Sequence, residues 1–310
     1  GNGEWSILEA DESDGSFLKL PVNYSIVTNI DIEHMDYYKN YKNLENSFIK
    51  FINKTPPIGK CFVCVDNKNI KNFLKKIKNK NILTYGFNKS ANYRISNARY
   101  KISHSTFDLH YKDLKGNNNI VKNINLKLLG EHNVLNASAT IALCLNLGAN
   151  VKIIKKSLKN FSGVQRRMTK VFSKNKNQFF DDYAHHPTEI SSILNGVKKV
   201  YNNRKIITIF EPHRYSRVMS LKDSFSKSFK ESDLVLMCPI YPAGEKNKLN
   251  FNRVNFAKLI SQNSNTQVIL IENQNEISKY FKKNLIDDEI IIGMGAGSIS
   301  KWVRELKYSL

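Results

Sequence analysis

Residues 178–189 read Gln-Phe-Phe-Asp-Asp-Tyr-Ala-His-His-Pro-Thr-Glu, a short apolar strand that runs directly into the start of a helix. Pro187 suits the first helical position, and Glu189 suits the positive end of the helix. Capping chemistry does not account for two carboxylates, a phenol and two imidazoles on a single turn. We therefore predict that this turn belongs to a functional site.

A second strand-to-helix corner lies further along the chain. Residues 205–210 form a β-branched run, and residues 211–217 continue as Glu-Pro-His-Arg-Tyr-Ser-Arg. Arg214 and Arg217 are three residues apart and share a face if the helix has begun, a placement that suits a carboxylate or a phosphate. Because the carboxyl ends of strands in an open α/β sheet converge on one crevice, the two corners predict a single site.

Both corners belong to a longer alternation of strands and helices. Strands are predicted at 178–182, 205–210, 234–238, 268–271 and 289–293, and helices from Pro187, from Ser216 and over 251–262, 276–283 and 298–308. This rhythm predicts a doubly wound, Rossmann-like sheet. We place its domain at 161–310, with a boundary near Asn160.

The first half, residues 1–160, is expected to form a separate α/β domain with helices flanking its sheet. Strands are predicted at 5–9, 24–29, 61–65 and 82–86, and helices at 41–53, 69–78 and 131–147. Residues 93–111 alternate apolar and polar side chains, which predicts an antiparallel hairpin at the sheet edge. Gly148 is expected to end the long helix as a C-cap.

Composition limits the class of protein. The formal net charge is +21 and the pI about 9.7, but lysine and asparagine are spread through all 310 residues without an aromatic-interleaved basic stripe. We therefore expect no nucleic-acid partner. No apolar run approaches the roughly 20 residues of a membrane span, and no signal peptide is visible, so we expect a cytoplasmic protein without a membrane partner. Cys61 and Cys64 lie in an apolar run, which favours a buried strand over a metal or redox site.

Residues 9–16 read Glu-Ala-Asp-Glu-Ser-Asp-Gly-Ser, an acidic cluster in a strongly basic chain. Carboxylates this close repel one another unless a cation neutralises them, so the cluster favours a hard metal such as Mg²⁺. His34 follows the second predicted strand, a position from which its imidazole could join Glu9 across the crevice.

Three further segments carry polar groups at helix starts. His132, Asn133 and Asn136 lie on or near one face at the start of the long helix, where carboxamides can meet the donors and acceptors of an adenine edge. Residues 163–167 end in two arginines at the predicted domain junction, where one could reach a phosphate. Residues 293–298 are glycine-rich, which favours tight packing over a phosphate nest.

Together these segments resemble the Mur ligases. The resemblance is carried by Glu-Ala-Asp-Glu-Ser-Asp-Gly-Ser-Phe at 9–17, Thr-Asn-Ile at 28–30 with Glu-His-Met-Asp at 33–36, Gly-Glu-His-Asn-Val-Leu-Asn-Ala at 130–137, Asp-Asp-Tyr-Ala-His-His-Pro-Thr-Glu at 181–189 and Pro-His-Arg-Tyr-Ser-Arg at 212–217. These strings span nearly the whole chain in the family's order. They are most similar to the branch that adds L-alanine.

The resemblance implies an ATP-dependent ligase of cytoplasmic peptidoglycan precursor synthesis. ATP would phosphorylate the lactyl carboxylate of UDP-N-acetylmuramate, the amine of L-alanine would attack the acyl phosphate, and an amide, ADP and phosphate would result. By position, the resemblance implies magnesium ligands at Glu9 and His34, adenine contacts at His132, Asn133 and Asn136, a phosphate contact at Arg167, a ribose contact at Asp182, and alanine-binding groups at Tyr183, His185, Arg214 and Arg217.

The chain departs from the family at one large feature. The family's P-loop, a glycine-rich turn ending in Gly-Lys-Thr, and its UDP-binding amino-terminal domain have no counterpart in these 310 residues, which begin at Gly1. We expect the chain to be the middle and carboxyl-terminal part of a longer ligase, and to lack ligase activity as it stands. Two alternatives stay open: a sister ligase that adds a preformed peptide, and an inactive module that binds nucleotide and amino acid.

Overall fold

A computed structural model describes residues 3–101 and 104–310. The chain divides into two compact units, and each of the two sheets has six strands. The first unit comprises Gly1–Arg99, Thr106–Leu126 and Asn133–Asn160, and the second comprises Tyr100–Ser105, Lys127–His132 and Phe161–Leu310.

The first sheet has its strands in chain order, β1 to β6. Its strands are β1 (Ser25–Val27), β2 (Cys61–Cys64), β3 (Ile82–Gly86), β4 (Tyr93–Lys101), β5 (His104–Lys112) and β6 (Asn118–Leu126), and its helices are α1 (Met35–Tyr38), α2 (Tyr41–Asn53), α3 (Lys68–Phe73), α4 (Glu131–Asn146) and α5 (Val151–Asn160). Strands β1 to β4 pair in parallel. Side-chain pairs Ser96–His110 and Asn97–Asp108 run in opposite order along β4 and β5, which confirms the antiparallel hairpin, although β6 rather than the hairpin forms the edge of the described sheet. Residues 102 and 103, which lie between these two strands in the sequence, are outside the described residues.

The predicted strand at 5–9 is wrong. These residues, all described, form no strand, and Ile7 is 96% exposed. An apolar run becomes a strand only where a neighbouring strand supplies backbone partners, and the three-residue edge strand β1 pairs only with β2 among the described residues.

Two other predictions for this half are confirmed. Cys61 and Cys64 lie buried in β2, where burial raises the pKa of the Cys61 thiol to about 12. A protonated, buried thiol behaves as a small apolar side chain. Gly148 follows α4 with a φ of +78° and donates its N–H to the carbonyl of Leu145, so it ends the helix as predicted.

The second sheet has the order β11-β10-β9-β12-β8-β7. Its strands are β7 (Thr169–Lys174), β8 (Asn177–Asp182), β9 (Ile206–Phe210), β10 (Leu234–Met237), β11 (Gln267–Leu270) and β12 (Ile290–Met294), and its helices are α6 (Pro187–Val200), α7 (Tyr215–Ser220), α8 (Lys222–Ser226), α9 (Arg253–Ser264), α10 (Gln274–Asn284) and α11 (Ile299–Ser309). Pairing is parallel throughout except between β7 and β8. The predicted doubly wound α/β fold is confirmed.

Strand β12 shows why this sheet is parallel and covered by helices on both faces. Ile290 and Ile292 pack in a core with side chains of α6 and α9 on one face. Ile291 packs on the other face with side chains of α10 and α11. A strand buried on both faces reads as a continuous apolar run, as β12 does. Among the helices of the described ranges, none combines the length and apolarity needed to cross a bilayer.

We expect Ile292→Ala to lower the free energy of unfolding by about 2–5 kcal/mol, because it removes buried methyl groups and leaves a cavity in the central strand. Ile292 is fully buried, whereas Ile286 in the same unit is 63% exposed. Ile286→Ala is the matched control and should change the free energy by less than about 0.5 kcal/mol. Urea unfolding of both variants measures the difference, and equal effects would contradict the assigned burial.

Candidate functional site

The carboxyl ends of four neighbouring strands in the second unit are in register. Asp182 of β8 is paired with Met294 of β12, Met294 with Phe210 of β9, and Phe210 with Met237 of β10. The segments that follow these strands therefore begin at one edge of the sheet. Both chemistry-bearing corners predicted from the sequence lie at this edge.

Asp182 is fully buried at the end of β8. Its two carboxylate oxygens accept hydrogen bonds from the backbone N–H groups of Met168 at 2.7 Å and Ala184 at 2.8 Å. Burial raises the pKa of the Asp182 carboxyl to about 6, although both hydrogen bonds act in the opposite direction. In this conformation Asp182 holds the turn after β8, and its ribose contact stays a prediction.

The helix after this turn explains one of the two adjacent histidines. His186 is the N-cap of α6: its side chain accepts from the N–H of Thr188, and the Glu189 side chain accepts from the N–H of His186 in a capping box. Capping therefore accounts for one of the two adjacent histidines, His186, but not for the pair. His185 remains as the histidine directed to the site.

A row of aromatic and cationic side chains links the two corners. The ring centroids of Tyr183 and His185 are 5.0 Å apart, and those of His185 and His213 are 5.8 Å apart. Arg217 Nη1 lies 3.0 Å from His213 Nδ1. The structure thus brings Tyr183, His185 and Arg217, predicted from two motifs, into one row with His213.

His213 is neutral in this arrangement. Burial, followed by the positive charge of Arg217, lowers the pKa of its imidazole to about 4. Because a guanidinium has no acceptor, Nδ1 of His213 must accept the hydrogen bond from Arg217, which places the imidazole proton on Nε2. A neutral ring of this tautomer also stacks on Tyr241, with centroids 5.4 Å apart.

Arg214, the fourth predicted alanine-binding residue, begins α7 at the same corner. Its Nε lies 3.4 Å from Glu245 Oε1, and its side chain is about one third exposed. Glu245 was not predicted from the sequence, because it lies thirty-one positions from Arg214 and comes close only through the neighbouring strands β9 and β10. A carboxylate in the segment after a strand end was the signal that could have found it.

The two arginines at 166 and 167 have different surroundings. Arg166 stacks over the Tyr183 ring at 4.6 Å, donates to the carbonyl of Gly295, and lies 3.8 Å from the buried carboxylate of Asp181. The Arg167 side chain is half exposed, with Nη1 3.6 Å from a Glu189 carboxylate oxygen. Arg166 therefore supports the fold of this edge, and Arg167 is the more exposed of the two; its phosphate contact stays a prediction.

His132 lies near Arg167 and Glu189. Its Nδ1 is 3.3 Å from Ser192 Oγ, and burial together with the charge of Arg167 lowers the pKa of its imidazole to about 4. A neutral ring can stack on a ligand base without the cost of burying a charge. Asn133 and Asn136 follow on α4 in the first unit, Asn133 partly buried and Asn136 exposed. Their adenine contacts stay predictions.

An acidic cluster in the first unit lies beside a cavity of 190 Å³ at the end of β1. Glu12, Glu33 and His34 each offer a ligand atom within 4.8 Å of the others. Two carboxylates and an imidazole form a donor set that fits a divalent cation. Glu9 is exposed and is not one of the three, so the structure brings together His34 and two glutamates rather than His34 and Glu9.

The glycine-rich segment 293–298 packs against the buried carboxylate of Glu211. Glu211 accepts hydrogen bonds from Ser298 Oγ and from the N–H of Ile299 at the start of α11. Burial raises the pKa of the Glu211 carboxyl, and these hydrogen bonds oppose that rise. The predicted preference for packing over a phosphate nest agrees with this geometry.

Comparison with known proteins identifies the family. The Mur ligase middle domain matches residues 3–144, and the Mur ligase glutamate ligase domain matches residues 166–297. The chain belongs to the Mur ligase family. A UDP-N-acetylmuramate–L-alanine ligase from Pelagibacter ubique is 50% identical over 307 residues, which are 99% of this chain and 66% of that relative. This Mur ligase chain thus spans just under two thirds of the length of that relative.

Solved Mur ligases share the fold. The UDP-N-acetylmuramate-alanine ligase from Thermotoga maritima superposes with a TM-score of 0.75 at 24% identity, over 96% of this chain and 62% of its own. MurF ligase from Thermotoga maritima, solved in complex with ADP, superposes with a TM-score of 0.69 at 12% identity, over 94% of this chain and 64% of its own.

We expect His132→Gln to remove a pH dependence of stability. The unfolded imidazole has a pKa near 6.5 and the folded one a pKa of about 4, so between these values only the unfolded state takes up the proton. The free energy of unfolding of the native chain, relative to that of the variant, should therefore fall by up to about 3 kcal/mol as pH drops from 7 to 4. Urea unfolding across this range measures it. Ser192→Ala, which keeps the imidazole, should retain the dependence, and a pH-independent difference for His132→Gln would contradict the lowered pKa.

Proposed function

We propose that this chain forms the middle and carboxyl-terminal part of an ATP-dependent ligase that joins L-alanine to UDP-N-acetylmuramate in the cytoplasm. The observation that carries the proposal is the contact row Tyr183–His185–His213–Arg217 at the sheet edge of the second unit. The substrates come from the name of the Pelagibacter ubique relative, and 50% identity over 99% of the chain supports their transfer. We place the boundary between the two domains near Asn160.

In the second unit, the amino acid is the ligand that suits this row. Arg214 and Arg217 would pair with its carboxylate, since guanidinium forks match a carboxylate in charge and geometry. Tyr183 and His185 then lie on the side of the amine. Holding carboxylate and amine together orients the nucleophile, which contributes to rate by lowering the entropy lost on reaching the transition state.

Nucleotide contacts are proposed in each unit separately. In the second unit, Arg167 meets a phosphate of ATP, His132 stacks on the adenine, and Asp182 contacts the ribose. In the first unit, Asn133 and Asn136 supply donors and acceptors to the adenine edge. The ADP named for the Thermotoga maritima MurF ligase supports a nucleotide of this kind.

Mg²⁺ is proposed at the acidic end of the first unit. His34 and Glu9 are the proposed ligands, and Glu12 and Glu33 are further carboxylates within reach of His34. When bound, the ion would neutralise charge on phosphoryl oxygens. The cation would in turn balance the negative charge of the glutamates around it.

The proposal is tested by binding and by turnover. The chain should bind L-alanine and ADP but release no phosphate with ATP, L-alanine and UDP-N-acetylmuramate, because it contains no P-loop sequence. Sequencing the coding region upstream of Gly1 and expressing any in-frame extension with a Gly-Lys-Thr turn should give alanine-dependent phosphate release. Turnover with a tripeptide instead of L-alanine would identify the sister ligase. Binding without such an extension would identify an inactive module, and robust turnover by the chain alone would refute the P-loop argument.

Arg214→Ala should weaken L-alanine binding to the chain about 10- to 100-fold, because it removes a charge-assisted hydrogen bond. Isothermal titration calorimetry measures the dissociation constant. Arg204→Ala is the matched control, since Arg204 precedes β9 and lies at the opposite end of that strand. In an active, longer protein, Arg214→Ala should mainly raise KM for alanine and Glu9→Ala mainly lower kcat; the reverse pattern would show that the two sites are exchanged.

A further inference from the structure

The segment after β10 contacts the alanine-binding corner, although the proposed function gives it no role. This segment, residues 241–245, reads Tyr-Pro-Ala-Gly-Glu, and we call it the 241–245 loop. Glu245 donates its N–H to the carbonyl of Pro242 at 2.9 Å, and both central residues of this turn have positive φ, +47° at Ala243 and +84° at Gly244. Such a turn reverses the chain tightly and returns Glu245 toward the corner.

Backbone hydrogen bonds join this loop to the corner. Tyr241 donates its N–H to the carbonyl of Pro212 at 2.7 Å, and Arg214 donates its N–H to the carbonyl of Tyr241 at 2.9 Å. The Tyr241 ring stacks on His213 with an interplanar angle of 5°. The loop and the corner therefore form one small parallel bridge.

Glu245 joins the two segments through its side chain. Its Oε2 accepts from the N–H of Ser216 at 2.9 Å, and its Oε1 accepts from Ser216 Oγ at 2.6 Å. The same Oε1 lies 3.4 Å from Arg214 Nε. Arg214 has a φ of +66°, a backbone conformation that a residue with a side chain rarely adopts and that surrounding contacts must hold.

We propose that Glu245 is a positioning residue for Arg214 in amino-acid binding. It holds the Nε edge of the guanidinium, so a ligand carboxylate would meet the Nη atoms. The negative charge of Glu245 lies beside Arg214, whereas the printed side-chain partner of Arg217 is the neutral ring of His213. This inference rests on the proposed function for the identity of the amino acid, but not for the ordering of Arg214.

A purely structural role for Glu245 makes a different prediction. If Glu245 only caps the start of α7, then Glu245→Gln should be nearly silent, because the amide keeps the side-chain volume and an oxygen that accepts from Ser216. If Glu245 positions Arg214, the same variant should release the guanidinium, because the negative charge is lost.

The test follows Arg214 and its ligand together in the full 310-residue chain. The Nε–H resonance of Arg214, observed by ¹⁵N–¹H NMR, should be protected from exchange in the native chain and lose that protection in Glu245→Gln. The dissociation constant for L-alanine should rise about 3- to 10-fold in that variant. Thermal melting of both proteins records any general loss of stability.

Two matched variants control for charge and for capping. Asp288→Asn removes the carboxylate of another ion pair, Arg204–Asp288, at the opposite edge of the same sheet, and should change neither readout. Ser216→Ala removes one capping contact but keeps the Glu245 charge, so the Arg214 resonance should stay protected even if the melting temperature falls.

The outcomes separate this inference from the proposed function. An unchanged Arg214 resonance in Glu245→Gln would overturn the positioning role. Loss of protection in a chain that does not bind L-alanine would support the ordering of Arg214 by Glu245 and refute alanine as the ligand. Loss of protection with weaker alanine binding would support both.

Discussion

The register of the buried parallel strands β8, β12, β9 and β10 is the constraint on which the candidate site depends. Each strand is packed on both faces, so a shift of one residue would exchange every side chain between the two cores. This fixes Asp182, Met294, Phe210 and Met237 in one row. Side chains from distant parts of the sequence can meet at this edge because the strands before them cannot slip.

Three buried carboxylates hold the loops at this edge, and each is compensated differently. Asp181 accepts from Ser300 Oγ and Arg304, Asp182 from two backbone N–H groups, and Glu211 from the start of α11. A buried charge without a partner is strongly destabilising, so these contacts are needed for the fold. The side chains of Arg167 and Arg214 keep exposed fractions of 50% and 35%. The buried acidic groups at this edge are thus held by protein contacts, whereas these two basic side chains keep exposed surface.

The sequence predicted the repeated strands and helices well because their apolar runs are long and bounded by clear helix starts. It missed β6, β7 and α5, where frequent lysine and asparagine obscure the apolar pattern. It also predicted a strand at 5–9 from local propensity alone, although pairing decides whether a strand forms. Among site residues, His213 lies within a quoted motif, whereas Glu245 depends on tertiary proximity that spacing along the chain does not reveal.

The glycines after β12 show how a local motif acquires its meaning from neighbours. A side chain at Gly297 would place its Cβ 2.5 Å from Glu211 Oε2 and from the Tyr241 ring, so packing alone requires glycine there. The start of α11 already holds the Glu211 carboxylate, and a second anion beside it would meet like-charge repulsion. An anion at this edge would therefore meet arginine side chains rather than a backbone nest, and two of these arginines, Arg167 and Arg214, lie beside the carboxylates of Glu189 and Glu245.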